Sequence, residues 1–264
     1  MNLEPRVLNL HTRTTLEVVL SPPELVPLSR RDLKHTVCVV FDILRATTSM
    51  ITALANGAAA IIPVAGIQDA LAIRRQKPEV LLAGERDGLR IRAEQTGSLD
   101  FDLGNSPREF TPERVTGRTI AVTTTNGTRA LRACAGAHTV LVASFLNLRS
   151  TIHWLKERQP PHLILVCAGT RDEPALEDAL AAGAVCQEIW AYYSRGRVPD
   201  SAQIVRRLFP LFEANLLEAV GQSANGRRLL AIPDLRDDVP FCLQRNTLAF
   251  TAELGADGCV RRQA

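Results

Sequence analysis

Seven short apolar runs recur along the first two thirds of the chain and predict the strands of a sheet. Each run is rich in Val, Ile, Leu or Ala, which is typical of strands buried on both faces. The predicted strands are Thr15–Leu20, Val37–Phe41, Ala58–Val64, Val80–Ala83, Thr119–Thr124, Val140–Phe145 and His162–Cys167. Helical or turn-forming segments separate them. The pattern therefore predicts an α/β fold with three layers (α/β/α) around a mostly parallel sheet that allows some mixed pairing.

Helical periodicity fills the gaps between the strands and then dominates after Tyr192. The predicted helices include a stretch that stops at Asn56-Gly57, a short one from Ala130 to Cys134, Gln68–Arg75, Leu148–Arg158, a helix opened by Pro174, Ser201–Leu208, Phe212–Val220 and Ser223–Leu230. The sequence contains no internal repeat and no low-complexity linker. We therefore predict one domain over residues 1–264, with a soft internal junction near 194–200 and a more helical C-terminal part.

The segment from Val37 to Gly57 has the clearest chemical signal. Its apolar strand stops at Asp42, and Arg45 and Thr47 follow at the start of the next helix. Ligands of open α/β sheets bind at this carboxyl edge, and helix N-termini there attract anions. A simpler interpretation is that Asp42 and Thr47 only cap the helix.

Similar polar groups follow other predicted strands. Glu85 and Arg86 follow the fourth strand, and a TNGT segment follows the fifth, which ends at Thr124. The further candidates, at loop ends and helix starts, are Asn105, Ser106, Thr124, Asn126, Gly127, Thr128, Asn147, Glu177 and Asp178. If the strands are parallel, these groups converge on one edge of the sheet and form a site. Several of them, taken singly, also have an ordinary structural role in a turn, as an N-cap or as a partner of a helix dipole.

The residue types predict an anionic, phosphorylated substrate held together with a divalent cation. Carboxylates such as Asp42 and Glu85 suit Mg²⁺, and we predict these two as its ligands. Arg45 and Arg86 suit bidentate binding of a phosphate or sulfonate group. Gly127 allows main-chain N–H groups to approach an anion closely.

Composition and missing motifs exclude several other classes of function. The 264 residues are 46% hydrophobic and 22% charged with a net charge of +3, which is typical of a globular protein without the basic face of a nucleic-acid binder. The sequence lacks a phosphate loop, a dinucleotide turn, a nucleophile elbow and an H-E-x-x-H motif. Its six cysteines form no C-x-x-C pair, and its apolar runs are too short to span a bilayer. We expect a cytoplasmic protein with reduced cysteines that binds neither nucleic acid nor membranes.

Several motifs follow one another in order over most of the chain. They are FDILRATTSMITALANGA, GERDG, FDLGNSP, TTTNGTRAL, ASFLN, CAGT and LEDALAAGA, with GQSANGRRLL, Asp238 and Cys242 as a weaker C-terminal continuation. Jointly they resemble the 2-phosphosulfolactate phosphatase family, the ComB type. The resemblance implies an α/β/α fold, a homodimer and Mg²⁺-dependent hydrolysis of 2-phosphosulfolactate to 3-sulfolactate and phosphate, on the route to coenzyme M. The segment Leu89–Asp100 is longer than the compact form of the family.

Within this interpretation each candidate residue has a role. The predicted catalytic residues are Asp42, Arg45, Glu85, Arg86 and Asp178. The predicted substrate-binding residues are Asn105, Ser106, Thr124, Asn126, Gly127, Thr128 and Asn147. Asp42 is either a metal ligand or the nucleophile that accepts the phosphoryl group, because both roles need an ionised carboxylate. Two other functions stay open, a non-catalytic sensor or carrier of an anionic metabolite and a phosphotransferase whose acceptor is not water.

Overall fold

The computed structural model describes residues 14–263. The strands of this part are β1 (Thr15–Val19), β2 (Val37–Phe41), β3 (Ala60–Pro63), β4 (Leu81–Arg86), β5 (Leu89–Arg90), β6 (Thr119–Thr123), β7 (Thr139–Ala143), β8 (His162–Cys167), β9 (Thr251–Leu254) and β10 (Val260–Gln263). Seven of them confirm the strands predicted from the apolar runs. The sequence pattern does not predict β5, β9 and β10.

The helices agree with the predicted periodicity at most positions. They are α1 (Leu25–Leu28), α2 (Ala46–Ala55), α3 (Ile67–Gln76), α4 (Ala93–Thr96), α5 (Pro112–Val115), α6 (Gly127–Ala133), α7 (Leu148–Arg158), α8 (Leu176–Tyr193), α9 (Asp200–Phe212), α10 (Leu216–Gly221), α11 (Ala224–Leu230) and α12 (Asp238–Cys242). The prediction of one helix over Phe212–Val220 is wrong. The Asn215 side chain accepts a hydrogen bond from the N–H of Glu218 and starts a new helix, α10, at this point.

Two parallel sets of strands, joined by an antiparallel hairpin, form the sheet. Strands β1, β8, β2 and β7 make one set, and β3, β6 and β4 make the other. The β9–β10 hairpin lies between them and pairs antiparallel with β7 and β3, while β5 pairs antiparallel with β4. The mixed α/β fold with a mostly parallel sheet is therefore confirmed. Three successive antiparallel pairings separate the two sets, so they do not share one continuous parallel edge.

Helices cover both faces of the sheet, because side chains alternate along each buried strand. In β2, Val37, Val39 and Phe41 face the layer formed by α7, α8 and α9. Cys38 and Val40 face the layer that contains α2 and α6. All five side chains are buried.

The ends of the two parallel sets meet in space. Strands β2 and β6 are five positions apart in the strand order, a separation of about 24 Å in a flat sheet. Nevertheless Gly127, which follows β6, lies against Asp42, which follows β2, and a Cβ built on Gly127 would be 2.7 Å from Asp42 Oδ2. The sheet therefore curves and twists strongly enough to place polar residues of both sets around one site.

Helices α10, α11 and α12 pack on one another, and α12 also contacts residues 107–109. The connection 194–199 links α8 to α9, which pack together.

All six cysteines are free. Within residues 14–263, no helix has both the length and the apolarity needed to cross a membrane.

Candidate active site

A cavity lies where the two parallel sets meet, and its walls contain half of the residues predicted for the site. These are Asp42, Arg45, Glu85, Asn105, Thr124 and Asn126. They follow β2 and β6, lie at the end of β4 or belong to the segment between β5 and β6. The walls also contain residues that the sequence did not single out, among them Thr125, Gly169, Thr170, Arg171, Asn225 and Arg228.

The two carboxylate oxygens of Asp42 have different environments. Oδ1 accepts a hydrogen bond from the main-chain N–H of Ala46 at 3.0 Å, which caps the start of α2. The Thr47 hydroxyl donates to the main-chain carbonyl of Asp42, also at 3.0 Å. Oδ2 accepts no hydrogen bond from the described residues and lies against Gly127. The capping and the chemical interpretations of Asp42 are therefore compatible, because each uses a different oxygen.

Buried acids surround Asp42. Burial, together with the charges of Glu85 and Glu177, raises the pKa of Asp42 to about 7, although the hydrogen bond from Ala46 acts in the opposite direction. Burial also raises the pKa values of Asp178 and Glu177. Low-dielectric surroundings disfavour the ionised form of each carboxyl group. A bound cation would offset this effect and take the place of the protons.

Glu85 and Asp178 use both of their carboxylate oxygens within the protein. Glu85 accepts hydrogen bonds from the main-chain N–H and the hydroxyl of Thr125 at 2.8 and 2.9 Å, and from the N–H of Gly88 at 2.7 Å. Asp178 accepts from the N–H groups of Ile43 and Gly169 at 2.8 and 3.0 Å. Glu85 lines the cavity and Asp178 does not. Asp178 instead ties the segment after β2 to the segment after β8.

The two predicted arginines already have protein partners. Arg45 is buried, with Nη1 donating to Asp238 Oδ2 and Nη2 to the Gly88 carbonyl, each at 2.6 Å. Arg86 donates to the Glu85 carbonyl at 2.6 Å and to the Thr123 hydroxyl at 3.1 Å, and it lies outside the cavity wall. Arg45 therefore supplies charge that Asp238 partly balances.

The segment after β6 forms one polar wall. The Thr128 hydroxyl donates to the Thr124 carbonyl at 3.1 Å, and the Thr128 N–H donates to the Thr124 hydroxyl at 3.3 Å. Asn126 donates through Nδ2 to the carbonyls of Ala168 and Arg171, both at 2.9 Å. These contacts join the end of β6 to the loop after β8.

Ser106 and Asn147 lie outside the cavity wall. Ser106 donates to Asp238 at 2.6 Å, and so supports the carboxylate that pairs with Arg45. Asn147 accepts from the N–H of Ser144 at 2.9 Å and donates to the carbonyls of Val142 and Phe250 at 3.4 Å. Its amide thus closes the turn after β7 and holds the segment that leads into β9.

Two residues of α11 complete the cavity on its C-terminal side. Asn225 donates through Nδ2 to the Leu44 carbonyl at 2.9 Å and to Glu177 Oε1 at 3.0 Å. Arg228 Nη2 donates to Asn225 Oδ1 at 2.9 Å. The GQSANGRRLL segment was the available sequence signal for these two residues, because helical periodicity by itself does not distinguish them from surface polar positions.

Asp42 and Glu85 are the buried carboxylates among the described residues of the cavity wall, and of these two only Asp42 has an oxygen, Oδ2, that accepts no hydrogen bond. The exposed Asp87 lies in the same wall, 3.9 Å from Arg171. Within residues 14–263, no group of three or more His, Cys, Asp or Glu side chains is arranged to hold a metal ion by itself. Mg²⁺ is commonly held by one or two carboxylates together with water and substrate phosphate oxygens, so Asp42 fits such a site. Glu85, the second predicted ligand, lies in the same wall with both oxygens already accepting hydrogen bonds.

Comparisons with known proteins identify the family of the chain. A family model described as 2-phosphosulpholactate phosphatase matches residues 21–256, a range that contains every cavity residue discussed above. A Thermotoga petrophila protein named "Probable 2-phosphosulfolactate phosphatase" is 39% identical over 204 residues, which cover 77% of this chain and 82% of the relative. A Symbiobacterium thermophilum protein of the same name is 38% identical over 219 residues, which cover 82% and 90%. The chain therefore belongs to the 2-phosphosulfolactate phosphatase family, a family of phosphoric monoester hydrolases.

Proposed function

We propose that this chain hydrolyses 2-phosphosulfolactate to 3-sulfolactate and inorganic phosphate, and that it uses Mg²⁺. The observation that carries the proposal is the free Oδ2 of Asp42, a cavity oxygen in a cluster of buried acids. Such an arrangement suits a cation bound together with a phosphoryl group. The names of the relatives support the choice of substrate.

Four residues in or beside the cavity have a defined role in this proposal. Asp42 Oδ2 would hold Mg²⁺, which supplies positive charge against the phosphoryl oxygens. The Thr124 hydroxyl accepts the N–H of Thr128 and keeps its own proton, so it can donate to a phosphoryl oxygen. Glu85 and Asp178 hold the segments after the strands at fixed positions through their hydrogen bonds.

Phosphate release is the direct test. With 2-phosphosulfolactate and Mg²⁺ we expect turnover, and with excess chelator we expect at least a roughly hundredfold loss, because the acids and the substrate then repel each other. Full turnover in chelator would remove Mg²⁺ from the proposal. The absence of phosphate release in the presence of Mg²⁺ would contradict the proposed reaction.

The two roles of Asp42 give different chemical products. A nucleophilic Asp42 would form an aspartyl-phosphate, which acid quenching during turnover and peptide mass spectrometry would detect. An Asp42 that only binds the metal would give normal turnover without this modified peptide.

The two alternative functions are distinguished by the same assay. A carrier would bind the substrate without releasing phosphate, and a phosphotransferase would form a new ester when alcohol acceptors are added. Buried carboxylates beside an anion disfavour a metal-free carrier because of charge repulsion. The homodimer stays a prediction, which light scattering of the purified protein would check.

A further inference from the structure

Three arginines line the cavity, and they differ in what already binds them. Arg45 is buried and paired with Asp238. Arg171 has a side chain that is 75% exposed, 3.9 Å from Asp87. Arg228 is partly buried, and its Nε is fully buried without a hydrogen-bond partner among the described residues. Arg228 therefore lies in the cavity wall with one N–H group, that of Nε, unpaired among the described residues.

One other arginine among the described residues shares this property. The Nε of Arg206 is also buried without a hydrogen-bond partner, but its guanidinium group lies 4.3 Å over the ring of Trp190, away from the cavity. An aromatic face is a favourable partner for a guanidinium group. Within residues 14–263 no aromatic ring lies over Arg228 in this way, so a cation–π contact does not account for its unpaired Nε.

A buried hydrogen-bond network fixes the position of Arg228. Nη2 donates to Asn225 Oδ1, and Asn225 in turn donates to Glu177 and to the Leu44 carbonyl. Asn225 and Glu177 are both buried. The guanidinium group is thus preorganised, and a planar fork held in this way binds an oxyanion with little further loss of freedom.

Arg228 lies to one side of the cavity, towards a second space. It lines an adjoining cavity whose wall includes Pro174, Ala175 and Leu176, and Asp42 lines the first cavity only. Asn225 and Arg228 belong to the walls of both cavities. An anion that Arg228 holds on the side of the adjoining cavity is therefore displaced from the phosphoryl position beside Asp42.

We propose that Arg228 binds an acid group of the substrate that is not transferred, the sulfonate or the carboxylate, and so determines which phosphate esters are hydrolysed. The inference rests on the proposed function, since 2-phosphosulfolactate carries both of these groups beside its phosphoryl group. Asn225 acts in this proposal as a positioning residue for Arg228.

Substrate truncation combined with substitution tests the inference. The variants are Arg228→Gln and Arg228→Lys, with Arg227→Gln as the matched control, because Arg227 is the exposed neighbour whose guanidinium donates to the Gln222 carbonyl. The probes are 2-phosphosulfolactate, 2-phospholactate, which lacks the sulfonate, and the phosphate ester of 2-hydroxyethanesulfonate, which lacks the carboxylate. Thermal melting checks folding, and Arg228→Lys provides the comparison should Arg228→Gln not fold.

For the full substrate, we expect Arg228→Gln to lower kcat/KM roughly tenfold to a hundredfold, mainly through KM. Arg228→Lys should lie between this variant and the wild type, and Arg227→Gln should stay within about twofold of the wild type. The analogue that lacks the bound group should lose little more on substitution, which identifies that group.

Two results would overturn the inference while leaving the proposed function intact. One is an active wild type with an unchanged Arg228→Gln variant. The other is an equal loss on all three esters, which would assign Arg228 to the phosphoryl group or to folding. A wild type that releases no phosphate from 2-phosphosulfolactate would instead overturn the proposed function, and this inference with it.

Discussion

The carboxyl group of Asp42 makes the stability of the protein depend on pH, and the same group is the proposed metal ligand. Its pKa in the folded protein is raised from 3.8 to about 7, mainly by burial. The folded state therefore holds the proton more tightly than the unfolded chain does. The stabilisation linked to this proton is fully present below about pH 4 and is lost as the pH rises through about 7.

The first prediction at the residue scale concerns Asp42→Asn. An amide keeps the oxygen that caps Ala46 and cannot ionise, so in chelator at pH 8 the variant should melt at least about 2 °C above the wild type. The two proteins should differ much less at pH 4. With Mg²⁺ and substrate, phosphate release should fall at least roughly a hundredfold. A folded variant with near-normal turnover would contradict the role given to Asp42.

A second prediction concerns Gly127, where a side chain would meet Asp42. A Cβ here would stand 2.7 Å from both Asp42 Oδ2 and the Ala46 Cβ, closer than packed atoms allow. Gly127→Ala should therefore lower both the melting temperature and phosphate release. Gly136→Ala is the control, because a Cβ at this exposed position has no neighbour within 4 Å. Equal activity of the two variants would show that the contact does not shape the site.

At the scale of elements, α11 connects the C-terminal helices to the cavity. Ser223 starts this helix, since its hydroxyl oxygen accepts the N–H of Gly226 at 3.0 Å. The same hydroxyl donates to Glu177 Oε2 at 3.3 Å. The orientation of α11, and with it that of Arg228, therefore depends on a cap that also contacts a buried acid.

Two N-cap substitutions with a similar expected cost in stability distinguish an effect on folding from an effect on function. Ser223→Ala and Asn215→Ala each remove an N-cap and should each lower the free energy of unfolding by about 1 kcal/mol. Only Ser223→Ala should also raise KM, because α11 carries Arg228 and α10 lines neither cavity. Denaturant unfolding and initial-rate kinetics measure the two effects. A comparable rise of KM in Asn215→Ala would argue against a specific role of α11.

At the scale of the whole molecule, the β9–β10 hairpin joins the two parallel sets. Val260 is fully buried and pairs with Ile61 of β3, which makes it the residue through which the hairpin meets the second set. Cavity residues of the second set such as Glu85 and Thr124, more than 130 positions earlier in the chain, therefore depend on this contact for their arrangement around the cavity.

Val260→Asp should consequently unfold the protein or lower its free energy of unfolding by more than about 3 kcal/mol, because it buries a charge without a partner. The exposed Gln263 in the same strand supplies the control, and Gln263→Asp should stay within about 0.5 kcal/mol of the wild type. Urea unfolding followed by circular dichroism measures both. A stable Val260→Asp variant would show that the two parallel sets hold together without the hairpin.

The sequence by itself determined those features that depend on neighbouring residues. A strand buried on both faces needs a nearly continuous apolar run, so the seven strands that have such a run were predictable. Helical periodicity and local stop signals such as Asn56-Gly57 depend on neighbouring residues too, which made α2 and α7 predictable. For the same reason Asp42, Glu85 and Thr124 could be chosen as candidates, since each ends a predicted strand or comes within two residues after one.

The tertiary structure alone decided how these elements are ordered and which partners the candidate side chains have. The pattern of β9 and β10 is short and partly exposed, so no local signal placed the hairpin in the middle of the sheet. Arg45 finds Asp238 193 positions later in the chain, and Asn147 uses its amide on the main chain rather than in the cavity. Local periodicity carries no information about such distant pairings, because they arise when the sheet curves and brings the ends of its two parallel sets together.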